Sequence, residues 1–167
     1  MHPVRILRQK LPALLSENRL KKIFLEIILR GEALRVMGLD LGEKTIGVAV
    51  SDLLMLTAQP LLVIKRSEKE QEELAGIIKE YEVDTIVVGY PKNMNGTIGE
   101  RALATEAFAQ ELQAAFRLPI KLWDERLSTV AAQKSLIQAD VSRAKRKKVI
   151  DKMAAVFILQ GFLDSKH

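Results

Sequence analysis

A chain of 167 residues, 48% hydrophobic and 28% charged, is enough for one folded domain and short of two. It has no cysteine, and its two histidines, His2 and His167, stand near the chain ends. That excludes disulfides, thiolate or histidine zinc sites and serine–histidine hydrolysis. The net charge of +5 is uneven: seven Lys/Arg against three Glu over 1–34, twelve against sixteen acids over 35–142, and seven against two over 143–167. A mildly acidic body with two basic additions points to a local anionic partner.

Residues 1–34 read as a basic N-terminal extension, in which Leu20, Ile23, Phe24, Ile27 and Ile28 recur at helical spacing. The apolar run Ile23–Leu29 is seven residues long and interrupted by Glu26, too short to span a bilayer and without a leader's cleavage pattern. A cytoplasmic protein without membrane insertion is expected. Two readings of the extension stand: a docking helix, or a start-site artefact in which Arg30-Gly31-Glu32 is encoded by a ribosome-binding site and Leu34 is the true start. The intact mass of the product of the native gene separates them. A mass that includes residues 1–33 eliminates the artefact.

Residues 35–167 form the folded domain. Arg35–Asp40 and Thr45–Asp52 are β-rich runs joined by Leu41-Gly42-Glu43-Lys44, and Pro60–Lys65 follows after a short link, which predicts an antiparallel meander. Ser67 and Glu70 form a capping box before Leu74, Ile77, Ile78 and Tyr81, the spacing of a helix. Val83–Gly89 suits a strand covered on both faces. Thr97 and Glu100 predict a second capping box, opening a helix to about Phe116 with Ala104, Phe108, Leu112, Ala115 and Phe116 as its core stripe. Pro119–Trp123 is a last strand, and helices are expected over Ser128–Gln138 and Arg146–Leu163. The order βββαβαβαα predicts an α/β fold: one mixed five-stranded sheet, three strands antiparallel and then two parallel, flanked by helices.

Four segments hold the chemically capable residues. Asp40-Leu41-Gly42 puts a carboxylate at a strand end, with a glycine that lets a bulky anion approach, and Lys44 follows. Trp123-Asp124-Glu125-Arg126 puts two acids at another strand end; if the strand continues through them they face opposite ways, and only one can share a cleft with Asp40. Arg143, Lys145, Arg146, Lys147 and Lys148 crowd five cations into six residues, a repulsion that a phosphate backbone relieves. Asp151 follows on the same helix, sharing a stripe with Ala154 and Ile158. The loop Tyr90–Thr97, with Lys92 and Asn93, suits phosphate or sugar contacts. Hard cations such as Mg²⁺ and Mn²⁺ take oxygen ligands, and clustered carboxylates that repel when bare are neutralised by them.

These segments resemble the YqgF family of the ribonuclease H-like superfamily, associated with pre-16S rRNA processing and with Holliday-junction resolution. The matching stretches are Met37–Asp52, Val87–Thr97 with Arg101, Asp124–Thr129 and Ser142–Gln160. The resemblance implies a ribonuclease H-like fold and a metal-dependent nuclease in which Asp40, Glu125 and Asp151 are catalytic and hold Mg²⁺ or Mn²⁺, with Asp124 the substitute for Glu125. It implies substrate contacts from Lys44, Lys92, Asn93, Arg101, Arg126, Arg143, Lys145, Arg146, Lys147 and Lys148. Junction resolvases of the superfamily also carry an acid on the fourth strand, where this chain reads Val87-Val88-Gly89-Tyr90.

The leading expectation is phosphodiester hydrolysis of structured RNA, an rRNA precursor or ribosomal particle, by a monomer or homodimer. Resolution of branched DNA is the alternative, since phosphate contacts do not read the sugar. Two other classes compete: an actin-like ATPase or sugar kinase, for which one such domain is too little, and a non-catalytic nucleic-acid-binding protein.

Overall fold

The computed structural model describes residues 34–127, 140 and 142–166, except for the side chains at 147–152. The extension and the helix expected over Ser128–Gln138 lie outside the described residues. The chain divides into two units, Met1–Ala33 and Leu34–His167, and every element named here belongs to the second.

Strands β1 (Arg35–Leu41), β2 (Thr45–Ser51) and β3 (Ala58–Lys65) form the meander, because the links between them are too short for anything but antiparallel return. Helix α1 (Glu70–Tyr81) then carries the chain back to β4 (Val83–Tyr90), and α2 (Glu100–Phe116) to β5 (Ile120–Asp124). Both crossovers are parallel, with β4 beside β1 and β5 beside β4. The sheet order is β3-β2-β1-β4-β5, and α3 (Arg143–Asp164) closes the fold. This is the mixed five-stranded sheet expected from the element order. Among the described residues no helix is long and apolar enough to cross a membrane.

Alternation along the strands sorts the sheet into two faces. Met37, Leu39, Val48, Ile86 and Val88 pack with Leu74 and Ile77 of α1 and Phe108 and Leu112 of α2. Val36, Ala49 and Val87 turn the other way, against Ala155, Ile158, Leu159 and Leu163 of α3. Strand β4 is apolar on both sides because it lies inside the sheet with a helix layer over each face. Gly38 lets α3 approach: a Cβ there would lie 2.6 Å from the Leu159 Cβ.

The helix starts depart from expectation. Glu70 does accept the Ser67 amide at 3.1 Å, but the Ser67 hydroxyl takes the Lys69 amide and α1 begins only at Glu70. Thr97 caps nothing: its hydroxyl donates to Asn95 Oδ1 and accepts from Asn93 Nδ2, and Gly99 precedes α2. Asn and Thr side chains a few residues apart satisfy one another before the helix can use them. The buried stripe of α2 is also turned from the expected one. Ala102, Thr105, Phe108, Ala109 and Leu112 face inward, while Ala104 and Ala115 are exposed. Small residues lie where the helix meets the sheet, and apolar periodicity alone does not weigh them. Helix α3 starts at Arg143, three residues before the expected Arg146, so its cationic run is helical.

Candidate active site

Position 40 has the parity of Val36 and Gly38, so Asp40 faces α3 at the end of β1. It pairs across the ladder with Gly47, where an added Cβ would lie 3.5 Å from both the Asp40 Cβ and the Ala155 Cβ. Strand β5 ends at Asp124, and Glu125 opens a helical turn. Its carboxylate lies over Gly89 at the end of β4: a Cβ there would meet Glu125 Oε1 at 2.6 Å and Ile158 Cδ1 closer still. The end of β4 carries no acid and is bare backbone at Gly89, and a carboxylate from beyond β5 fills the space.

Glu125 is half-buried, and that burial raises its pKa first; the charge of Asp40 raises it further, Arg101 opposes and Asp124 adds, with a result of about 7. Both acids lie on the α3 face, Glu125 with Ile158 at Gly89 and Asp40 with Ala155 at Gly47, and the charge of Asp40 acts on Glu125. Asp151 lies in α3, four positions before Ala155, and its side chain is outside the described residues. Among the described residues no three acidic or histidine side chains gather into one metal-sized cluster.

Asp124 does other work. Its oxygens accept from Arg126 Nη2 at 2.6 Å, Arg126 Nε at 3.0 Å and the Arg126 amide at 3.1 Å. This pairing holds the Asp124 carboxyl below its ordinary range, with burial opposing. Arg126 also donates to the carbonyls of Asn93 and Met94, both at 3.4 Å, and so ties the Pro91–Gly99 loop to the end of β5. The loop is braced from within by Gly96 N–H to the Asn93 carbonyl at 2.8 Å and by the Asn93–Thr97 pair. Asn93 and Arg126, both expected to touch substrate, are thus engaged in loop architecture. Replacing Asp124→Asn is expected to cost roughly 1 kcal/mol of stability and to speed hydrogen exchange at Gly96 and Thr97, with cleavage reduced less than tenfold. Thermal unfolding and exchange measurements check this.

The other expected substrate residues are scattered. Lys44 is exposed in the β1–β2 turn, Lys92 stands over the Tyr90 ring at 5.6 Å, and Tyr90 hydrogen-bonds Glu106 of α2. Arg101 is exposed in the first turn of α2, near enough to Glu125 to act on its charge. Arg143 and Lys145 are exposed and Arg146 half-buried at the start of α3, while the Lys147 and Lys148 side chains lie outside the described residues. Sequence reasoning passed over Gly89 and Gly47 as site residues. The only signal was a glycine at the end of an otherwise apolar strand.

The structure thus places one carboxylate at the end of β1 and another just beyond β5 on one sheet face, with exposed cations at the start of α3. Among solved structures, Thermus thermophilus RuvC, in complex with a Holliday junction substrate, shares the fold at a TM-score of 0.52 with 12% identity, covering 80% of this chain and 95% of that one. A protein of Desulfitobacterium hafniense described as "Putative pre-16S rRNA nuclease" is 70% identical over 131 residues, 78% of this chain and 92% of its own length. A Bacillus subtilis protein of the same description is 57% identical over 136 residues, 79% and 99% of the two chains. The family model described as "RuvX: Holliday junction resolvase" matches residues 34–165. With that match over the whole folded unit, and a ribonuclease H-like sheet carrying carboxylates at its strand ends, this chain belongs to the RuvX (YqgF) family of nucleases.

Proposed function

We propose that this protein is a divalent-metal-dependent nuclease of the cytoplasm that processes pre-16S rRNA, with Asp40, Glu125 and Asp151 as its metal-holding residues. The observation that carries the reading is the Asp40–Glu125 pair, two carboxylates from separate strand ends on one sheet face, with the charge of Asp40 raising the cost of charging Glu125. An oxygen-only donor set of this kind fits a hard cation such as Mg²⁺ or Mn²⁺, which removes the repulsion. When bound, such an ion activates water and stabilises the leaving oxygen of a phosphodiester. The chain's own residues do the rest. Asp40 is held by the β1–β2 ladder, and Glu125 lies over Gly89 on the face that Ile158 also covers, so both are placed before substrate arrives. Arg143 and Lys145 offer exposed cations to the phosphates on either side, while Arg101 lies beside Glu125.

The RNA assignment is supported by the relatives' description; the family description favours a second reading, resolution of branched DNA. Metal-dependent cleavage of an rRNA precursor beside a four-way DNA junction decides between them. Cleavage of the precursor by the wild type, with loss in Asp40→Asn, is the expected result. Equal cleavage by Asp40→Asn overturns the mechanism, and cleavage of the junction alone overturns the substrate.

A further inference from the structure

The α3 face of the sheet continues past Asp40 in the direction away from Glu125. Strand order puts β2 and then β3 on that side, and register fixes what they carry. Gly47 pairs with Asp40, and the Cβ it lacks would point at Ala155 of α3, so Thr45, two residues earlier on β2, faces the same way. Thr45 pairs with Lys65 of β3, which places the lysine on that face too. Its neighbours have the opposite parity. Ile64 is buried in the other core, and Arg66 turns toward α1 and α2, with its Nε 2.8 Å from Glu70 and its guanidinium over the Phe108 ring. The Arg66 amide donates to the Lys44 carbonyl at 2.9 Å, so pairing runs one residue beyond Lys65. Thr45 and Lys65 are both exposed, and among the described residues Lys65 has no ion-pair partner. Strands about 4.8 Å apart, rising about 3.4 Å per residue, place the Lys65 Cα roughly 12 Å from that of Asp40.

We infer that Lys65 and Thr45 form a phosphate-binding subsite, which holds the substrate backbone a few nucleotides from the phosphate cleaved at Asp40. The inference rests on the nuclease reading. A lysine on an edge strand also serves as a guard against pairing with other chains. Such a guard is best placed in mid-strand, yet the position on this face before Lys65 is Val63, apolar and 64% exposed. The cation stands instead at the end of β3 that lies on the acid side of the sheet. The exposure of Val63 also means that α3 leaves this part of β3 uncovered, so a polynucleotide backbone has access to Lys65. Arg66, the next cation along, is neutralised by Glu70 and donates to the Gly42 carbonyl, so it is engaged within the fold. An ammonium on a flexible stem suits a phosphate whatever the base, and the Thr45 hydroxyl beside it has a donor for the same oxygens. Arg143 and Lys145 supply cations from α3, and Lys65 supplies one from the sheet. The substrate strand then crosses the strand ends from Glu125 past Asp40 to β3.

The test is the fluorescence anisotropy of a labelled single-stranded RNA, titrated with protein at several salt concentrations and without divalent metal. Lys65→Ala is expected to bind roughly tenfold more weakly at low salt and to flatten the slope of log Kd against log salt by about 0.7, the share of one phosphate contact on a single strand. Lys65→Arg is expected to keep both. Lys79→Ala, which removes an exposed cation of α1 on the other side of the sheet, is expected to change neither. Thr45→Val removes no charge, and is expected to weaken binding roughly fivefold with the slope unchanged. In cleavage of an rRNA precursor, Lys65→Ala is expected to raise KM and keep kcat, because the subsite holds ground state and transition state alike. An unchanged slope in Lys65→Ala, or an equal loss of slope in Lys79→Ala, overturns the inference. So does a Lys65→Ala protein that aggregates but binds like the wild type, since the lysine is then an edge guard. The expected change of slope without metal-dependent cleavage by the wild type overturns the nuclease reading and upholds the subsite.

Discussion

Glu125→Gln is expected to lose cleavage by about 10³-fold and, without metal, to unfold at a higher temperature than the wild type at pH 8. The two effects share one cause. Burial and the charge of Asp40 raise the pKa of Glu125 from its ordinary 4.5 to about 7 in the folded protein. The folded state therefore binds this proton more tightly than the unfolded chain does, and the contribution of protonated Glu125 to stability is fully present below about pH 4.5. It is lost as the pH rises through about 7, where the half-buried carboxylate must carry its charge beside Asp40. Glutamine stays neutral, so the variant is expected to gain roughly 2 kcal/mol at pH 8 after allowance for solvent screening, and nothing at pH 4. Divalent ions are expected to raise the melting temperature of the wild type at pH 8 and to do less for the variant. At limiting metal, cleavage by the wild type is expected to rise with pH as Glu125 loses its proton, and saturating metal is expected to move that rise to lower pH, because the ion takes the deprotonated carboxylate. Thermal melts at pH 4 and pH 8, with and without Mn²⁺, check all of this. A variant less stable than wild type at pH 8 without metal would show that Glu125 is placed for the fold.

Gly89→Ala is expected to damage the same site from beneath. Its Cβ would stand 2.6 Å from Glu125 Oε1 and 3.1 Å from Glu125 Cγ, and against Ile158 Cδ1. The side chains must give way, at a cost of about 1–3 kcal/mol. A carboxylate moved by about an ångström costs on the order of 10² in rate. Gly76 in α1 is the control, since a Cβ there meets nothing within 4 Å. Gly76→Ala is expected to stabilise by about 0.5–1 kcal/mol with cleavage unchanged. Denaturant unfolding and initial rates on the two variants test the contrast, and a fully active Gly89→Ala protein would refute the tight seating of Glu125.

The strands, their order and the helices of the described chain follow from short-range patterns, and these were legible in the residues. Alternation in Val36–Asp40 puts hydrophobes on one face and Gly38 and Asp40 on the other, and link lengths alone dictate antiparallel return for β2 and β3. That Asp124 and Glu125 would face opposite ways if the strand ran through both was legible, but β5 ends at Asp124 and Glu125 opens a helical turn. Which of the two joins Asp40 was not legible, because it depends on Arg126 capturing Asp124 and on Gly89 leaving room for Glu125 from another strand.

Thr97 shows the complementary failure. Its spacing to Glu100 is that of a capping box, yet Asn93 and Asn95 lie nearer in space than the helix amides and take the hydroxyl. The sequence by itself determined the sheet, its helices and the three acids worth watching, because periodicity and residue chemistry are local. Only the tertiary structure decided that Asp40 and Glu125 share the α3 face of the sheet, with Glu125 lying over the bare backbone of Gly89. Those proximities join residues far apart in the chain, and no spacing rule encodes them.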